Sequence, residues 1–200
     1  MSDHTTLDYY NQNSKQFVHD TQDVKFTEIQ DYFLSYLKPG ASILDFGCGS
    51  GRDTKYFLEK GYSVDAIDGS EELVKIAREN TGIEVKQMLF QELNETERYD
   101  GIFACASILH VPYTELPDIM RRIHQALKQR GITYISFKYG TFEGERNGRY
   151  FTDLNEEKLQ GLLKEVPGFT VESIRITGDA RPGRSDEKWL NVILRKERYD

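Results

Sequence analysis

The sequence predicts an α/β fold built around a mainly parallel sheet. Short apolar segments typical of buried strands alternate with amphipathic segments of helical period. A glycine-rich run follows the first apolar segment directly, in "ILDFGCGSGRD", Ile43 to Asp53. The chain has 200 residues, of which 38% are hydrophobic and 30% charged, and this composition suits one soluble domain. We therefore expect a single domain, with an N-terminal helical part over 1–38 and an α/β core over 41–200.

The N-terminal part is predicted to be helical over residues 5–37. Apolar residues recur there at helical spacing as far as Leu37, and the "KPG" segment, 38–40, ends the pattern.

The core elements alternate regularly after this point. The predicted strands cover 41–46, 62–68, 83–88, 99–107, 131–139, 169–177 and 189–197. The predicted helices cover 52–60, 70–80, 113–129 and 154–166. Because no helix separates the last two strands, one of them is predicted to run antiparallel.

The ends of two helices and one connection carry local signals. Ser70 is a candidate N-cap, and so is either Asp153 or Asn155 for the last helix. The segment "GTFEGERNGR", residues 140–149, is rich in glycine and charge and is predicted to be a loop.

Charge and cysteine content argue against several classes of protein. The net charge of −7 disfavours a broad basic surface for duplex nucleic acid. No apolar run approaches the length of a membrane span, and the polar N-terminus lacks the order of a secretion signal. Cys48 and Cys105 are too few for a disulfide framework and have no zinc spacing. We expect a cytoplasmic, reduced protein without a metal site or a membrane partner.

The glycine run predicts a ligand site. In an open α/β sheet, ligands bind beyond the carboxyl ends of the strands, where Gly47, Gly49 and Gly51 lie. Missing β-carbons let the backbone turn sharply and let a ligand approach it closely. The helix that begins near Arg52 points its free N–H groups towards the same place.

The residues around the glycines indicate the kind of ligand. Asp68, at the end of the second strand, can accept hydrogen bonds from ribose hydroxyls, or alternatively cap the next helix. Arg52 stands where a dinucleotide loop would carry its last glycine, and no Lys-Ser/Thr pair follows. The spacing thus favours a nucleoside without pyrophosphate, and Arg52 offers a fork for a carboxylate. S-adenosylmethionine has both a ribose and an amino-acid carboxylate.

Three segments together resemble the class I S-adenosylmethionine-dependent methyltransferases. "ILDFGCGSGRD" is similar to their first motif, "VDAIDGS" to their acidic second-strand motif and "YDGIFACASILHVP" to their fourth-strand motif. The resemblance covers nearly the whole chain and extends to the tellurite-resistance type of small-molecule methyltransferase. It implies a Rossmann-like, seven-stranded, mostly parallel sheet with its last strand antiparallel, helices on both faces and an N-terminal helical lid. S-adenosylmethionine would be the cofactor and S-adenosylhomocysteine the product.

The resemblance also implies roles for individual residues. The glycines and Cys105 would line the methionine half, Asp45 would order the loop or meet the cofactor's amino group, and Asp68 would bind the ribose. Leu89 occupies the position of the family's adenine-binding aspartate, so packing of Phe90 and a contact from Gln91 or the backbone would hold the adenine. The full set of expected cofactor contacts is Tyr10, Asp45, Gly47, Cys48, Gly49, Gly51, Arg52, Asp68, Gly69, Phe90, Gln91 and Cys105.

The N-terminal segment and a histidine are further candidates. "LDYYNQNSKQF" resembles a lid helix in which Tyr9 or Tyr10 would close over the cofactor, with core packing as the alternative. His110 follows the fourth strand and is the candidate general base, because its ordinary pKa is ~6.5. Its alternative role is to pack against or cap the following helix.

Arginines after the fifth strand and between the last two strands are candidates for binding an anionic acceptor. The predicted acceptor residues are Tyr139, Arg181 and Arg184. Arg146 and Arg149, in "GERNGRYF", could bind the anion together with them, but charge-balanced, solvated side chains are favoured in that segment because acidic residues lie among them.

The sequence therefore predicts methyl transfer to a small molecule by in-line displacement. A metabolite carboxylate, a thiol or an oxyanion such as tellurite is an open acceptor, and the protein would be a monomer or homodimer. Two alternatives remain. One is methylation of RNA or protein, for which a basic stripe and an Asn-Pro-Pro-Tyr-like motif are missing. The other is a non-catalytic module that binds the cofactor or a partner.

Overall fold

The computed structural model describes residues 2–22, 24–181, 183–184 and 186–197. Nine strands are present in this part of the chain: β1 Ser42–Phe46, β2 Ser63–Asp68, β3 Val85–Gln87, β4 Tyr99–Ala104, β5 Leu127–Lys138, β6 Glu143–Arg146, β7 Arg149–Thr152, β8 Phe169–Gly178 and β9 Lys188–Lys196. The α-helices are α1 Ser2–Thr21, α2 Thr27–Leu34, α3 Arg52–Glu59, α4 Glu71–Thr81, α5 Leu116–Ala126 and α6 Glu156–Glu165. Two short 3₁₀ turns cover Phe90–Glu92 and Ile108–His110.

Seven of these strands form the central sheet, in the order β3-β2-β1-β4-β5-β9-β8. Strands β1 to β5 pair in parallel, and β9 pairs antiparallel with both β5 and β8. The predicted seven-stranded sheet with its last strand antiparallel is therefore confirmed. The parallel pairing brings the carboxyl ends of β1, β2, β4 and β5 to one edge.

Apolar side chains cover both faces of this sheet. One cluster contains Phe33 of α2, Phe57 of α3, and Phe103 and Tyr134 of the sheet. Phe103 stacks on Tyr134 with ring centroids 4.8 Å apart. A larger cluster on the other face packs residues of α5 and α6 against β4 and β5. Burial on both faces explains why the central strands are continuous apolar runs in the sequence.

The N-terminal part differs from the prediction of helix over 5–37. The chain leaves helical geometry between α1 and α2, where Thr21 ends the first helix and Thr27 begins the second. Within α1, Asn13 is also non-helical (φ −113°, ψ 17°), and its Nδ2 donates to the carbonyl of Tyr9 at 2.9 Å. Such local side-chain bonding to the backbone competes with regular helix.

The predicted loop over 140–149 is wrong, because β6 and β7 form an antiparallel hairpin there. Asn147 and Gly148 make its two-residue turn, with φ values of +51° and +76°. An Asn-Gly pair with two positive φ angles favours a tight hairpin, since its twist matches that of the strands. The hairpin places Arg149, Phe151 and Asp153 beside the main sheet.

Two element boundaries also differ from the prediction. The helix α5 covers Leu116–Ala126 rather than 113–129, and β5 begins at Leu127 rather than 131. Leu127 pairs with Tyr99, and a register irregularity separates this pair from that of Gly101 with Ile132. Tertiary pairing with β4 therefore draws into the strand residues whose local pattern favours helix.

Hydrogen bonds show which of the predicted residues cap these two helices. Ser70 Oγ accepts from the backbone N–H of Leu73 at 3.2 Å, as expected. Asn155, rather than Asp153, caps α6, because its Oδ1 accepts from Lys158 N at 2.9 Å. Asp153 instead pairs with Arg146 at 2.7 Å.

In the described ranges, no helix combines the length and apolar character that a bilayer span needs. The same part of the chain brings together no group of three or more His, Cys, Asp or Glu side chains that could hold a metal ion.

Candidate functional site

A cavity of about 1060 Å³ opens at the carboxyl ends of β1, β2, β4 and β5. Its walls come from α1, the glycine loop, the segment after β3, the turn after β4, the β6–β7 hairpin and the β8–β9 connection. The sheet edge predicted from the strand order is therefore the floor of one large chamber.

Two glycines of the loop after β1 expose their backbone to the cavity. Gly47 and Gly49 have φ values of +87° and +56°, in the left-handed region that favours glycine. A Cβ on Gly47 would stand 2.4 Å from Cβ of Ser107, and one on Gly49 would stand 3.3 Å from the ring of Phe17. Both positions thus favour glycine for conformation, Gly47 also needs it for space, and both line the cavity.

Gly51 and Asp45, both predicted to contact the cofactor, do not line the cavity. A Cβ on Gly51 would stand 2.6 Å from Cγ2 of Thr81, so this glycine lets α3 and α4 pack closely. Asp45 is 2% exposed, and its Oδ2 accepts from Thr54 Oγ1 at 2.6 Å. Burial, and then the neighbouring charge of Asp53, raise the pKa of Asp45 to about 8. The two residues support the loop from behind.

Asp68 faces the cavity and ties the loop to α4. Its Oδ2 accepts from Gly49 N at 2.8 Å, and its Oδ1 accepts from Ser70 N at 2.9 Å. Burial raises the pKa of Asp68, and these backbone donors oppose that effect. Asp68 does not cap α4, whose N-cap is Ser70; its carboxylate fixes the turn before the helix and lies on the cavity wall.

Arg52 lines the cavity, but its guanidinium fork is engaged within the chain. Nη2 lies 3.0 Å from Oδ2 of Asp53, and Nε lies 3.2 Å from Oδ1 of the same carboxylate. The guanidinium also lies over the ring of Phe26, 4.2 Å from its centroid. The predicted fork for a ligand carboxylate is thus already occupied by an internal one.

Both cysteines line the same wall as free thiols. Burial raises the pKa of Cys48 and that of Cys105 well above the ordinary thiol value. Protonated thiols are poor nucleophiles, so the two side chains act here as small wall residues.

The segment after β3 supplies an apolar patch of the cavity wall next to Gly47. Met88, Leu89, Phe90 and Gln91 line it together with Gly69. Leu89 is 36% exposed, and the ring of Phe90 packs on that of Phe46 with centroids 4.7 Å apart. This patch lies where the sequence comparison places the adenine.

Helix α1 roofs the cavity through contacts at several points. Leu7 packs over Gly69, where a Cβ would stand 2.8 Å from its Cδ2, and Phe17 covers Gly49. Thr6 Oγ1 accepts from Tyr150 N at 3.0 Å, and Asn11 Oδ1 accepts from Ser70 Oγ at 2.7 Å. These bonds fix the helix to the hairpin on one side and to α4 on the other.

Tyr10 and His110 meet inside the cavity. His110 Nδ1 lies 2.6 Å from the carbonyl oxygen of Tyr150, so Nδ1 must carry the proton and donate it. Nε2 then accepts from the hydroxyl of Tyr10 at 2.9 Å. Burial, and then the charge of Arg149, lower the pKa of His110 to about 4. A neutral ring with both nitrogens engaged supports the packing alternative over the general base.

The predicted acceptor residues line the cavity, but their polar groups have partners in the chain. Arg181 Nε donates to Oδ1 of Asp179 at 2.8 Å, and Nη2 donates to Oδ2 at 2.5 Å. Arg184 lies 3.8 Å from Glu187, and the hydroxyl of Tyr139 donates to Glu156 at 2.9 Å.

Arg149 of the hairpin behaves differently from these residues. It lines the cavity and forms no ion pair with a carboxylate within the described residues. The sequence interpretation favoured a charge-balanced, solvated side chain in this segment, and the structure corrects it. The Asn147-Gly148 turn signal was the available clue, since it predicts a hairpin that returns Arg149 to the sheet edge.

Comparison with known proteins agrees with this geometry. Residues 43–131 match the family model described as "Methyltransferase domain". The matched range runs from β1 into β5 and includes the glycine loop, Asp68 and His110. The resemblance to the class I S-adenosylmethionine-dependent methyltransferases is therefore confirmed over this range.

Three similar sequences are informative. The chain is 29% identical over 151 residues to an uncharacterized methyltransferase of Staphylococcus carnosus, with 70% of each chain covered. It is 30% identical over 105 residues to the ubiquinone biosynthesis O-methyltransferase of Xanthomonas campestris strain B100, with 49% of this chain and 43% of the relative covered. The match with a Penicillium polonicum highly reducing polyketide synthase spans 7% of that protein. This chain thus spans less than half of the length of two of these relatives.

Solved structures share the fold. One is the Burkholderia thailandensis 1,6-didemethyltoxoflavin-N1-methyltransferase with bound 1,6-didemethyltoxoflavin and S-adenosylhomocysteine. The TM-score is 0.71 at 24% sequence identity, with 96% of this chain and 90% of that chain covered.

Proposed function

We propose that the protein transfers the methyl group of S-adenosylmethionine to a small molecule enclosed in the cavity. The observation that carries this proposal is that one chamber of about 1060 Å³ contains both the glycine loop with Asp68 and the hairpin with the end of β5. Drug-sized ligand cavities are roughly 300–1,000 Å³, so there is room for a cofactor beside a small acceptor.

The residues present fit the cofactor. Gly47 and Gly49 bare a backbone cradle that a Cβ would fill, and Asp68 presents a carboxylate at its edge. Phe90 and Leu89 would pack against the adenine, while Cys48 and Cys105 would line the methionine side. When bound, S-adenosylmethionine supplies an electrophilic methyl group, which makes the chemistry itself that of the cofactor.

The contribution of the chain is positioning and the exclusion of water. Holding two reactants in line supplies roughly 7–11 kcal/mol of barrier reduction. Helix α1 covers the cavity through Leu7, Tyr10 and Phe17. We propose that residues 1–38, which include this helix, act as a lid over the cavity. A deep cavity partly covered by α1 suits a small acceptor better than a folded RNA or protein.

The named relatives support the choice of a small acceptor. One acts in ubiquinone biosynthesis as an O-methyltransferase, and one is an N1-methyltransferase with bound 1,6-didemethyltoxoflavin. We further expect a cytoplasmic protein that is a monomer or homodimer.

The proposal is tested by turnover. Purified protein is incubated with S-adenosylmethionine labelled in the methyl group and a pool of small metabolites, and S-adenosylhomocysteine is quantified by mass spectrometry. We expect product from the wild type and much less from Asp68→Ala. Cofactor binding without product from any acceptor pool would instead favour a non-catalytic module.

A further inference from the structure

We propose that the acceptor binds as an organic anion whose charge is held by Arg149 among aromatic rings. This inference rests on the proposed function, because it names the class of acceptor for the same cavity. It replaces Arg181 and Arg184, the acceptor residues predicted from the sequence, whose charges are offset by Asp179 and Glu187.

The surroundings of Arg149 are aromatic. Its guanidinium carbon lies 4.6 Å from the ring centroid of Tyr9, 5.2 Å from that of Phe151 and 5.8 Å from that of Tyr10. Nη1 donates to the hydroxyl of Tyr10 at 3.4 Å. These rings hold the planar guanidinium in place. They also form an aromatic surface against which a flat organic group could pack.

The charge of Arg149 lacks the internal compensation that its neighbours have. Other arginines of the wall pair with acids of the chain, in the pairs Arg52–Asp53, Arg146–Asp153 and Arg181–Asp179. No carboxylate of residues 5–22, 24–181, 183–184 or 186–197, whose side chains the structure describes, forms an ion pair with Arg149, and its Nε is buried without a hydrogen-bond partner. A half-buried cation is costly without a counter-ion, and an anionic acceptor would supply one.

The state of His110 points to an acceptor that is already deprotonated. Its Nε2 accepts from Tyr10 and its Nδ1 donates to the carbonyl of Tyr150, so the ring has no free lone pair. An anionic acceptor needs no base. Its charged atom forms the bond to the methyl carbon, the carbon–sulfur bond breaks onto sulfur, and the positive and negative charges cancel with no proton released.

Carboxylates, acidic enols and acidic heterocyclic N–H groups meet this requirement at neutral pH. Because the acceptor's charge disappears during the reaction, Arg149 holds the bound anion more strongly than the transition state. Removal of Arg149 should therefore raise KM without lowering kcat once an acceptor is identified.

The test uses benzoate and benzamide as a probe pair of similar shape and different charge. Each is titrated calorimetrically into the protein, with and without saturating S-adenosylhomocysteine. We expect benzoate to bind the wild type at least about tenfold more tightly than benzamide, and Arg149→Gln to abolish this preference. Arg149→Lys should retain part of it. Arg121→Gln, an exposed arginine of α5 away from the cavity, is the matched control and should retain all of it.

Equal binding of the two probes by the wild type, or an undiminished preference for benzoate in Arg149→Gln, would overturn the proposal. Binding of S-adenosylhomocysteine within about twofold of the wild type shows that Arg149→Gln is folded. Absence of that binding in the wild type would overturn the proposed function instead, and the titrations of the cofactor-free protein would still decide the role of Arg149.

Discussion

The hydroxyl of Tyr10 lies 2.9 Å from Nε2 of His110, across one hundred residues of sequence. The bond joins the roof helix α1 to the turn after β4, and the other ring nitrogen joins the same histidine to Tyr150 of the hairpin. Three walls of the cavity therefore meet at one neutral imidazole. This arrangement indicates that His110 holds these three elements together and does not act as a general base.

The first prediction is that His110 stays neutral throughout the physiological range. Burial lowers its pKa to about 4, so its imidazole resonance should not titrate between about pH 5.5 and 8. The measurement is NMR of histidine-labelled protein, with the signal assigned by its loss in His110→Gln. A midpoint near 6.5 for that signal would restore the general base.

The same lowered pKa affects stability. Because the folded pKa lies below the ordinary value of 6.5, the contribution of His110 is complete above pH 6.5 and is lost as the pH falls towards 4. His110→Gln should flatten this part of the pH dependence of unfolding.

The second prediction concerns the hydroxyl of Tyr10. Tyr10→Phe leaves Nε2 of the buried His110 without a donor, which should lower the free energy of unfolding by about 1–3 kcal/mol. Tyr9→Phe is the matched control, because no hydrogen bond from that hydroxyl is seen among the described residues, and it should change stability by less than about 0.5 kcal/mol. Urea denaturation of both variants measures the difference. Equal losses of unfolding free energy in the two variants would contradict a stabilising hydrogen bond between Tyr10 and His110.

The third prediction compares two glycines with nearly the same positive φ angle. Gly47 and Gly61 have φ values of +87° and +86°, but a Cβ would clash with Ser107 only at Gly47 and would meet nothing within 4 Å at Gly61. Both alanine variants bear left-handed strain of about 1–2 kcal/mol. Gly47→Ala should lose a further ~1–3 kcal/mol through overpacking. Similar unfolding midpoints for the two would show that the loop has room to relax.

The fourth prediction is a pH dependence due to Asp45. Its folded pKa is about 8 against an ordinary 3.8, so the folded state holds a proton that the unfolded state has lost between these values. The stability it contributes is present at low pH and falls as the pH rises, by at most about 1.4 kcal/mol per pH unit. Asp45→Asn keeps an acceptor for Thr54 and should remove this slope in thermal melts. Parallel dependences of melting temperature on pH for the wild type and Asp45→Asn would mean that Asp45 is ionised in the folded state.

Much of the fold could be predicted because its signals are local. Buried parallel strands are continuous apolar runs, and the bare loop after β1 needs glycine at Gly47 and Gly49. The position of Asp68 at the cavity followed from strand order alone, since parallel strands place their carboxyl ends together.

The remaining features depend on tertiary placement. The strand start at Leu127 is set by its pairing with Tyr99, against a local helical pattern. Whether an arginine is neutralised depends on which acid the fold brings to it. Arg181 pairs with Asp179 two residues away, whereas Arg149 contacts aromatic rings and the hydroxyl of Tyr10, and no ion pair with it is seen in the described part of the chain. The Asn147-Gly148 pair indicates a hairpin turn, but the charged residues around it favoured the interpretation as a solvated loop.

The most direct test of the central claim is calorimetric titration of the purified protein with S-adenosylhomocysteine. The loop of Gly47 and Gly49, with Asp68, should bind it in a one-to-one complex. Asp68→Ala should weaken the affinity roughly ten- to a hundredfold through the loss of charge-assisted hydrogen bonds of ~1.5–3 kcal/mol. Absence of heat and of thermal stabilisation in the folded wild type, or unchanged affinity in folded Asp68→Ala, would contradict this assignment of the site.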